Sequence, residues 1–288
     1  MLTYYSRVVI RQPDLDTIVS AFVLGVHPKM ELTVVGGLAE ATDLEDTRVL
    51  CLECGGSGEV WRGNFDHHQA GLDLPPACVQ ALAIGNTGDS WLEELVAYTE
   101  AVDLGLPLKR SGDGPNLSAL ISGVRIMNSD PANAFWAGLK VLDRVFRLKI
   151  DCFGAMPRIE EWEVYFQARE QNFKRLHNDA WHCRYFITEK GLRWGYLESS
   201  VPGVHGFLRE KGCALSVAAT PPTANTGTRK YSIATADLRL DPLLNELTAI
   251  EKGWGGPSHG TIIGSPFSGS TMDPDCVLEL VRLFAESL

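Results

Sequence analysis

Asp66, His67 and His68 stand side by side in GNFDHHQAG, residues 63–71, directly after the apolar Phe65. Three consecutive side chains able to ligate a metal, set at the end of a strand-like run, are poor core filler. Further candidates come from other segments. QPDLD places Asp14 and Asp16 two apart, so both can point to one side of an extended or turning segment. Either acid can equally cap the helix that follows. Glu53 interrupts the apolar run RVLCLECGG, where a carboxylate is to be paired or to bind a metal. Asp103 ends a helix-patterned stretch, where an acid opposes the helix dipole unless it has another task.

The elements that position these residues are short. SRVVIRQPDLDTIVSAFVLGV reads as a strand through Val8, Val9 and Ile10, a polar loop, and a helix with Ile18, Val19, Phe22 and Val23 on its apolar face. ELTVVGGL and RVLCLECGG read as further strands stopped by glycines, and Phe65 marks a fourth. DSWLEELVAYTEAVDLG has helical spacing, with Asp89 or Ser90 as N-cap and Gly105 as stop. Short buried strands alternating with helices predict an α/β fold on a parallel sheet. Every candidate ligand then falls at or near the carboxyl edge, where open parallel sheets place their sites.

A helical pattern continues from Asn116 to Phe146, and PRIEEWEVYFQAREQNFKRLHNDAW predicts a long charged helix with Pro157 in its first turn. Beyond residue 183 strands dominate, followed by a helix in DPLLNELTAIEKGWGG and an amphipathic helix at the C-terminus. The expected organisation is a metal-binding domain over 1–150, a helical connector over 151–183, and a smaller α/β domain over 184–288.

The bulk properties narrow the partners. The 288 residues carry 26 basic and 36 acidic side chains, a formal charge of −10, which disfavours long duplex nucleic acid. The first residues lack an uninterrupted apolar stretch, so no secretory leader is expected. No apolar run reaches the roughly 18 residues of a membrane helix, so no membrane partner is expected. Seven cysteines without a framework spacing suggest reduced thiols and a cytoplasmic location. Cys51 and Cys54 form a CxxC, but the apolar run around them and the lack of a second CxxC favour a buried strand over a zinc or redox site.

In order and content these segments resemble the DHH phosphoesterase superfamily. FDHHQ matches its name-giving motif, QPDLD resembles the first motif, and LECGG takes the place of a strand-end Asp motif. The Asp103 segment resembles the fourth motif. GWGGPSHGTIIGSP resembles the glycine-rich substrate-binding motif of the associated DHHA1 domain. The resemblance implies two divalent cations, usually manganese, that activate a water for attack on phosphorus. Mainly oxygen ligands with few imidazoles suit manganese or magnesium over zinc.

Carried over residue by residue, the resemblance implies that Glu53 bridges the metals. Asp16, His67 and Asp103 complete one site, and Asp14 serves the other. Asp66 orients His67, and His68 touches the substrate phosphate. Gly255, Gly256 and His259 are expected to bind phosphate, with Arg125 and either Arg209 or Lys211 as further partners. The alternative for the glycine segment is a simple turn with His259 exposed. Two positions depart from the family: Ile10 stands where it has His, and Glu53 where it has Asp. One firm metal site and a second, weak one are therefore expected.

The implied function is that of a metal-dependent phosphohydrolase acting on a small phosphate ester, short oligonucleotide or polyphosphate. The glycine motif resembles the nuclease and exopolyphosphatase-like branch more than the inorganic pyrophosphatases. The alternative is a degenerate member that binds a nucleotide or phosphate as a sensor or scaffold. A purely structural module would bind no metal.

Overall fold

Four short apolar runs pair side by side in the N-terminal part of the chain. The structure, a computed structural model, describes residues 5–68, 74–85, 88–106, 108, 113–235, 238–256 and 261–288. The runs are β1 (Arg7–Ile10), β2 (Glu31–Val34), β3 (Val49–Leu52) and β4 (Asn64–Phe65). They form a parallel sheet of order β2-β1-β3-β4, with Ile10 opposite both Val34 and Leu52, and Leu52 opposite Phe65.

Side chains alternate across this sheet, as the strand period requires. Val8, Ile10, Leu50 and Leu52 enter the main core, whereas Val9, Val49 and Cys51 pack with Ala39 and Cys54 in a smaller cluster. Burial of each such aliphatic side chain contributes about 1.5–3 kcal/mol. Cys51 and Cys54 are wholly buried free thiols, and Cys54 Sγ donates to the Val9 carbonyl at 3.3 Å.

The helices of this part are α1 (Leu15–Val23), α2 (Ala41–Glu45), α3 (Ala77–Gly85), α4 (Ser90–Asp103), α5 (Leu117–Met127) and α6 (Pro131–Arg147). Asp14, Asp89, Asn116 and Asp130 cap α1, α4, α5 and α6 by accepting backbone N–H bonds from the first turn. The continuous helical pattern from 116 to 146 is broken in the structure at Asn128, Ser129 and Asp130, where Asp130 and Pro131 begin a new helix. The next helix, α7 (Glu163–Asp179), starts six residues after Pro157. The reason is a single 3₁₀ turn over Glu160–Trp162 that drives Trp162 into the core.

The chain divides into two compact units, Met1–Glu170 and Gln171–Leu288, and the division falls inside α7. The second unit contains β5 (Arg184–Ile187), β6 (Arg193–Glu198), α8 (Val204–Glu210), β7 (Leu215–Ala219), β8 (Tyr231–Thr235), α9 (Asp241–Ile250), β9 (Ile262–Gly264) and α10 (Pro274–Ser287). Its sheet runs β5-β6-β7-β8-β9; the β6–β7 pair is parallel and the other pairs are antiparallel. Trp194, Val217, Ile233 and Ile263 pack with Leu243 and Leu247 of α9 and Val277, Val281 and Phe284 of α10. Leu197, Phe207, Leu208 and Cys213 form a separate cluster with Leu176 of α7. No helix among the described residues is long and apolar enough to cross a membrane.

Candidate metal centre

The carboxyl edge of the first sheet gathers the acids and imidazoles singled out in the sequence. Glu53 follows β3 directly, and its backbone N–H still pairs with the Phe65 carbonyl at 2.9 Å. Its φ is then +57°, in the left-handed region. A residue with a Cβ is strained there by roughly 1–2 kcal/mol, and such strain is common where a side chain has a task. The turn is completed by Gly55 and Gly56. Gly56 has φ +62°, and its N–H donates to Asp66 Oδ2 at 2.7 Å. Glu53 is 6% exposed, and its Oε1 is buried with no hydrogen-bond partner among the described residues. A buried carboxylate oxygen in that state is suited to a proton or a cation.

His67 and His68 follow β4. His67 Nε2 lies 3.6 Å from Glu53 Oε2 and 3.5 Å from Asp103 Oδ2, longer than good hydrogen bonds. His68 Nδ1 lies 3.2 Å from Glu53 Oε2 and 2.7 Å from Asp66 Oδ1. Asp66 Oδ1 also accepts the His68 N–H at 3.0 Å. The resemblance implies that Asp66 orients His67. Its carboxylate instead grips His68 and Gly56, because the turn after β4 brings the amide two residues on back to it.

Asp16 projects from the first turn of α1 and is buried. Its two oxygens accept the N–H groups of Ala77 and Cys78, each at 2.8 Å, at the start of α3. This carboxylate therefore caps a helix that begins some sixty residues later, besides facing the centre. Asp14 is the N-cap of α1 and accepts Thr17 N–H at 3.0 Å. Asp103 is the last residue of α4. Gln80 of α3 donates to the Asp66 carbonyl at 2.9 Å and to the Pro75 carbonyl at 2.7 Å, tying α3 to the segment after β4.

The electrostatics call for positive charge. Burial, then repulsion from Asp16, Asp14, Asp66 and Asp103, pushes the Glu53 pKa well up. Burial, then Asp16 and Asp14, pushes Asp103 up to about 7. Burial raises Asp16 despite its hydrogen bonds to Cys78 and Ala77. Burial alone would lower His68, but the hydrogen bond and charge of Asp66 outweigh it and raise the imidazole. Asp66 is lowered in return: the His68 contact overcomes the upward effect of burial.

Two sets of donor atoms lie within 4.8 Å of one another: Glu53, His67 and His68, and Asp16, His67 and Asp103. Carboxylate oxygens with one or two imidazoles are a donor set that fits a manganese or magnesium ion. The buried, unpartnered Glu53 oxygen and the raised carboxylates fit it as well.

The remaining expected residues are outside these two donor sets. Ile10 is wholly buried in the main core, so this position carries packing and no ligand. Arg125 is exposed on α5 and donates to Gln12 Oε1 at 3.3 Å, beside the loop that leads to Asp14. Arg209 and Lys211 lie at the exposed end of α8, which the sequence reading did not resolve as a helix. Gly255 exchanges backbone hydrogen bonds with Gly264 at 3.1 and 2.7 Å. A Cβ on Gly256 would meet the Ile262 carbonyl oxygen at 2.0 Å, so this glycine has a steric reason of its own. His259 lies outside the described residues.

Sequence reasoning missed Gly56, Ala77, Cys78 and Gln80 as positioning groups. The GG pair after Glu53 was a signal for the first; the amides of α3 had none, because Asp16 reaches them only through the fold.

No protein-family model and no curated protein matches the chain. Solved structures do. A pGpG-specific phosphodiesterase, PggH from Vibrio cholerae, aligns over 98% of this chain and 99% of its own, at 14% identity and a TM-score of 0.57. The DHH domain of a member of the s1p family of ribosomal proteins aligns over 100% of this chain and 88% of its own, at 13% identity and a TM-score of 0.52. At such identities the likeness establishes architecture and not activity. The chain has the α/β fold of the DHH-domain proteins, and the acids and imidazoles recognised in its sequence converge on one edge of that fold.

Proposed function

We propose that the chain is a divalent-metal-dependent phosphohydrolase of small phosphate esters, short oligonucleotides or polyphosphates. The observation that carries this reading is Glu53, a strained and buried carboxylate with one oxygen that has no hydrogen-bond partner among the described residues, set among His67, His68, Asp16 and Asp103. Glu53, His67, Asp16 and Asp103 would hold manganese or magnesium, with Asp14 beside them. A bound divalent cation supplies Lewis-acid charge that offsets charge developing on a phosphoryl oxygen and lowers the pKa of water.

The chain's own residues have separate tasks. Asp66 locks the His68 ring through Nδ1 and favours its charged form, so His68 is suited to donate a hydrogen bond to a phosphate oxygen. Gly56 and Gln80 fix Asp66 from two sides. Arg125, at the loop after β1, supplies a further cation for a substrate phosphate. Gly255 and Gly256 are proposed to approach a substrate phosphate with their backbone.

The structural neighbour described as pGpG-specific supports a dinucleotide as the first substrate to try. Metal-stripped protein is incubated with a linear diguanylate, with and without manganese, beside His67→Ala and Glu53→Gln. Manganese-dependent release of mononucleotide, lost in both variants, is expected.

A second reading, a protein that binds a phosphorylated ligand without turnover, is favoured by the packing of Ile10 and by the amides that occupy Asp16. Calorimetry separates the two: ligand binding without product, in the presence of manganese, selects the second reading.

A further inference from the structure

The second unit contains an alcohol–imidazole pair that the metal centre does not use. His205, on α8, places Nδ1 2.7 Å from Ser216 Oγ of β7 and Nε2 2.8 Å from Ser232 Oγ of β8. Ser216 Oγ donates its single proton to the Ala234 carbonyl at 3.0 Å. It must therefore accept from His205 Nδ1–H. Burial, and then the Arg209 charge, lowers the His205 pKa to about 4, so the ring is neutral near pH 7. A neutral ring protonated on Nδ1 has its lone pair on Nε2, which accepts the Ser232 hydroxyl proton. The chain of bonds fixes one direction: Ser232 to His205 to Ser216 to the Ala234 carbonyl.

This pair opens on space. Ser232 and His205 line a cavity of about 270 Å³ together with Val201, Pro202, Ala218 and Thr220. Thr220 lines the same cavity, and its Oγ1 accepts the Lys230 N–H at 3.0 Å, a bond that does not use the hydroxyl proton. A hydroxyl bonded to an oriented base, with a donor nearby and an apolar wall beside it, is the arrangement of a serine nucleophile.

We propose that Ser232 and His205 form a second reactive site, in which Ser232 attacks small carboxylic esters. The Ser232 Oγ–carbon bond forms as the Oγ proton passes to His205 Nε2. The ester C–O bond then breaks, and the leaving alcohol takes that proton. Water attacks the acyl-serine in the same way, the carboxylic acid departs, and Ser232 recovers its proton. Ser216 is a positioning residue that holds the ring tautomer, and Thr220 donates to the carbonyl oxygen. Ser216 is a hydroxyl and not a carboxylate, so it offers no charge to an imidazolium. The site therefore suits activated esters with good leaving groups. The assignment is independent of the phosphohydrolase reading and needs no metal.

The full chain is treated with 4-nitrophenyl acetate, and separately with an alkyl fluorophosphonate, in the presence of a chelator; the labelled residue is mapped by peptide mass spectrometry. The expected result is chelator-insensitive nitrophenol release, with the fluorophosphonate on Ser232. Ser232→Ala and His205→Gln should each lower the rate by about 100-fold, with far-UV circular dichroism unchanged. Should either variant fail to fold, the mapped adduct on the wild-type chain decides alone. No adduct, an adduct only on other residues, or turnover unchanged in a folded Ser232→Ala protein overturns the proposal.

Discussion

Oδ1 of Asp66 lies 2.7 Å from Nδ1 of His68, two residues further along the chain. The same carboxylate accepts the amide of Gly56 through its other oxygen, so one side chain fixes both the imidazole and the glycine turn behind Glu53. Asp66→Asn keeps the size and removes the charge. The His68 pKa, which Asp66 raises, is expected to fall in the variant. Its ring proton shifts, followed by NMR against pH, measure this. The proposed phosphohydrolase activity should drop by about 10–100-fold, the usual cost of losing a group that orients a site residue. An unchanged His68 titration would show that the contact does not control the ring.

The raised carboxylates would set the pH dependence of the proposed cation binding. Asp103 has a folded pKa of about 7 against an ordinary 3.8. Between these values the folded state holds a proton that the unfolded state has released. Metal-free stability from this group is thus present at low pH and is lost as pH rises through about 7. A cation needs the ionised form, so binding releases that proton. Manganese should therefore raise Tm more at about pH 8 than at about pH 5.5, and Asp103→Asn should flatten the difference. Differential scanning fluorimetry at the two pH values checks it, and a larger gain at the acidic value would contradict it.

The two glycines assigned to phosphate are separable. A Cβ on Gly255 meets nothing within 4 Å among the described residues, whereas one on Gly256 would lie 2.0 Å from the Ile262 oxygen. Gly256→Ala should cost about 1–3 kcal/mol of stability through overpacking. Gly255→Ala should leave the urea midpoint nearly unchanged and lower the affinity for a phosphorylated ligand if that backbone approaches it. Equal stability loss in both variants would refute the steric distinction.

His205 supplies a test of linkage in the second unit. Its pKa drops from 6.5 to about 4 on folding. Above pH 6.5 both states are neutral and nothing is lost. As pH falls from 6.5 towards 4 the unfolded chain takes up a proton that the folded one refuses, and stability declines. The full stake is about 3 kcal/mol before discounting for partial solvent screening. Urea unfolding at pH 7 and pH 5 should show a smaller decline in His205→Gln than in wild type. Identical declines would place the ring's titration elsewhere.

The strands, the capped helix α4 and the grouping of acids at one sheet edge were legible because they follow from local rules. Short runs rich in β-branched and aliphatic residues that stop before a Gly-Gly pair specify β2 and β3, and the apolar spacing from Trp91 to Val102 specifies α4. A parallel sheet then places the ends of β1, β3 and β4 together, which is enough to bring Asp14, Glu53 and His67 to one side. Local rules gave less notice of α2, α3 and α8. α2 is five residues long and buries none of them, and α8 spans only two turns.

Residue types and spacing by themselves determined which side chains have the chemistry of ligands and that the strand ends bring them to one edge. Partners could only be decided by the tertiary structure. Asp16 meets the amides of Ala77 and Cys78 across about sixty residues, Asp66 turns to His68, and Ile10 goes into the core. His205 finds Ser216 and Ser232 on two different strands. The physical reason is the same in each case. Strand and helix formation depends on neighbours a few residues away, whereas the environment of a buried polar atom depends on what packing delivers to it from elsewhere in the chain.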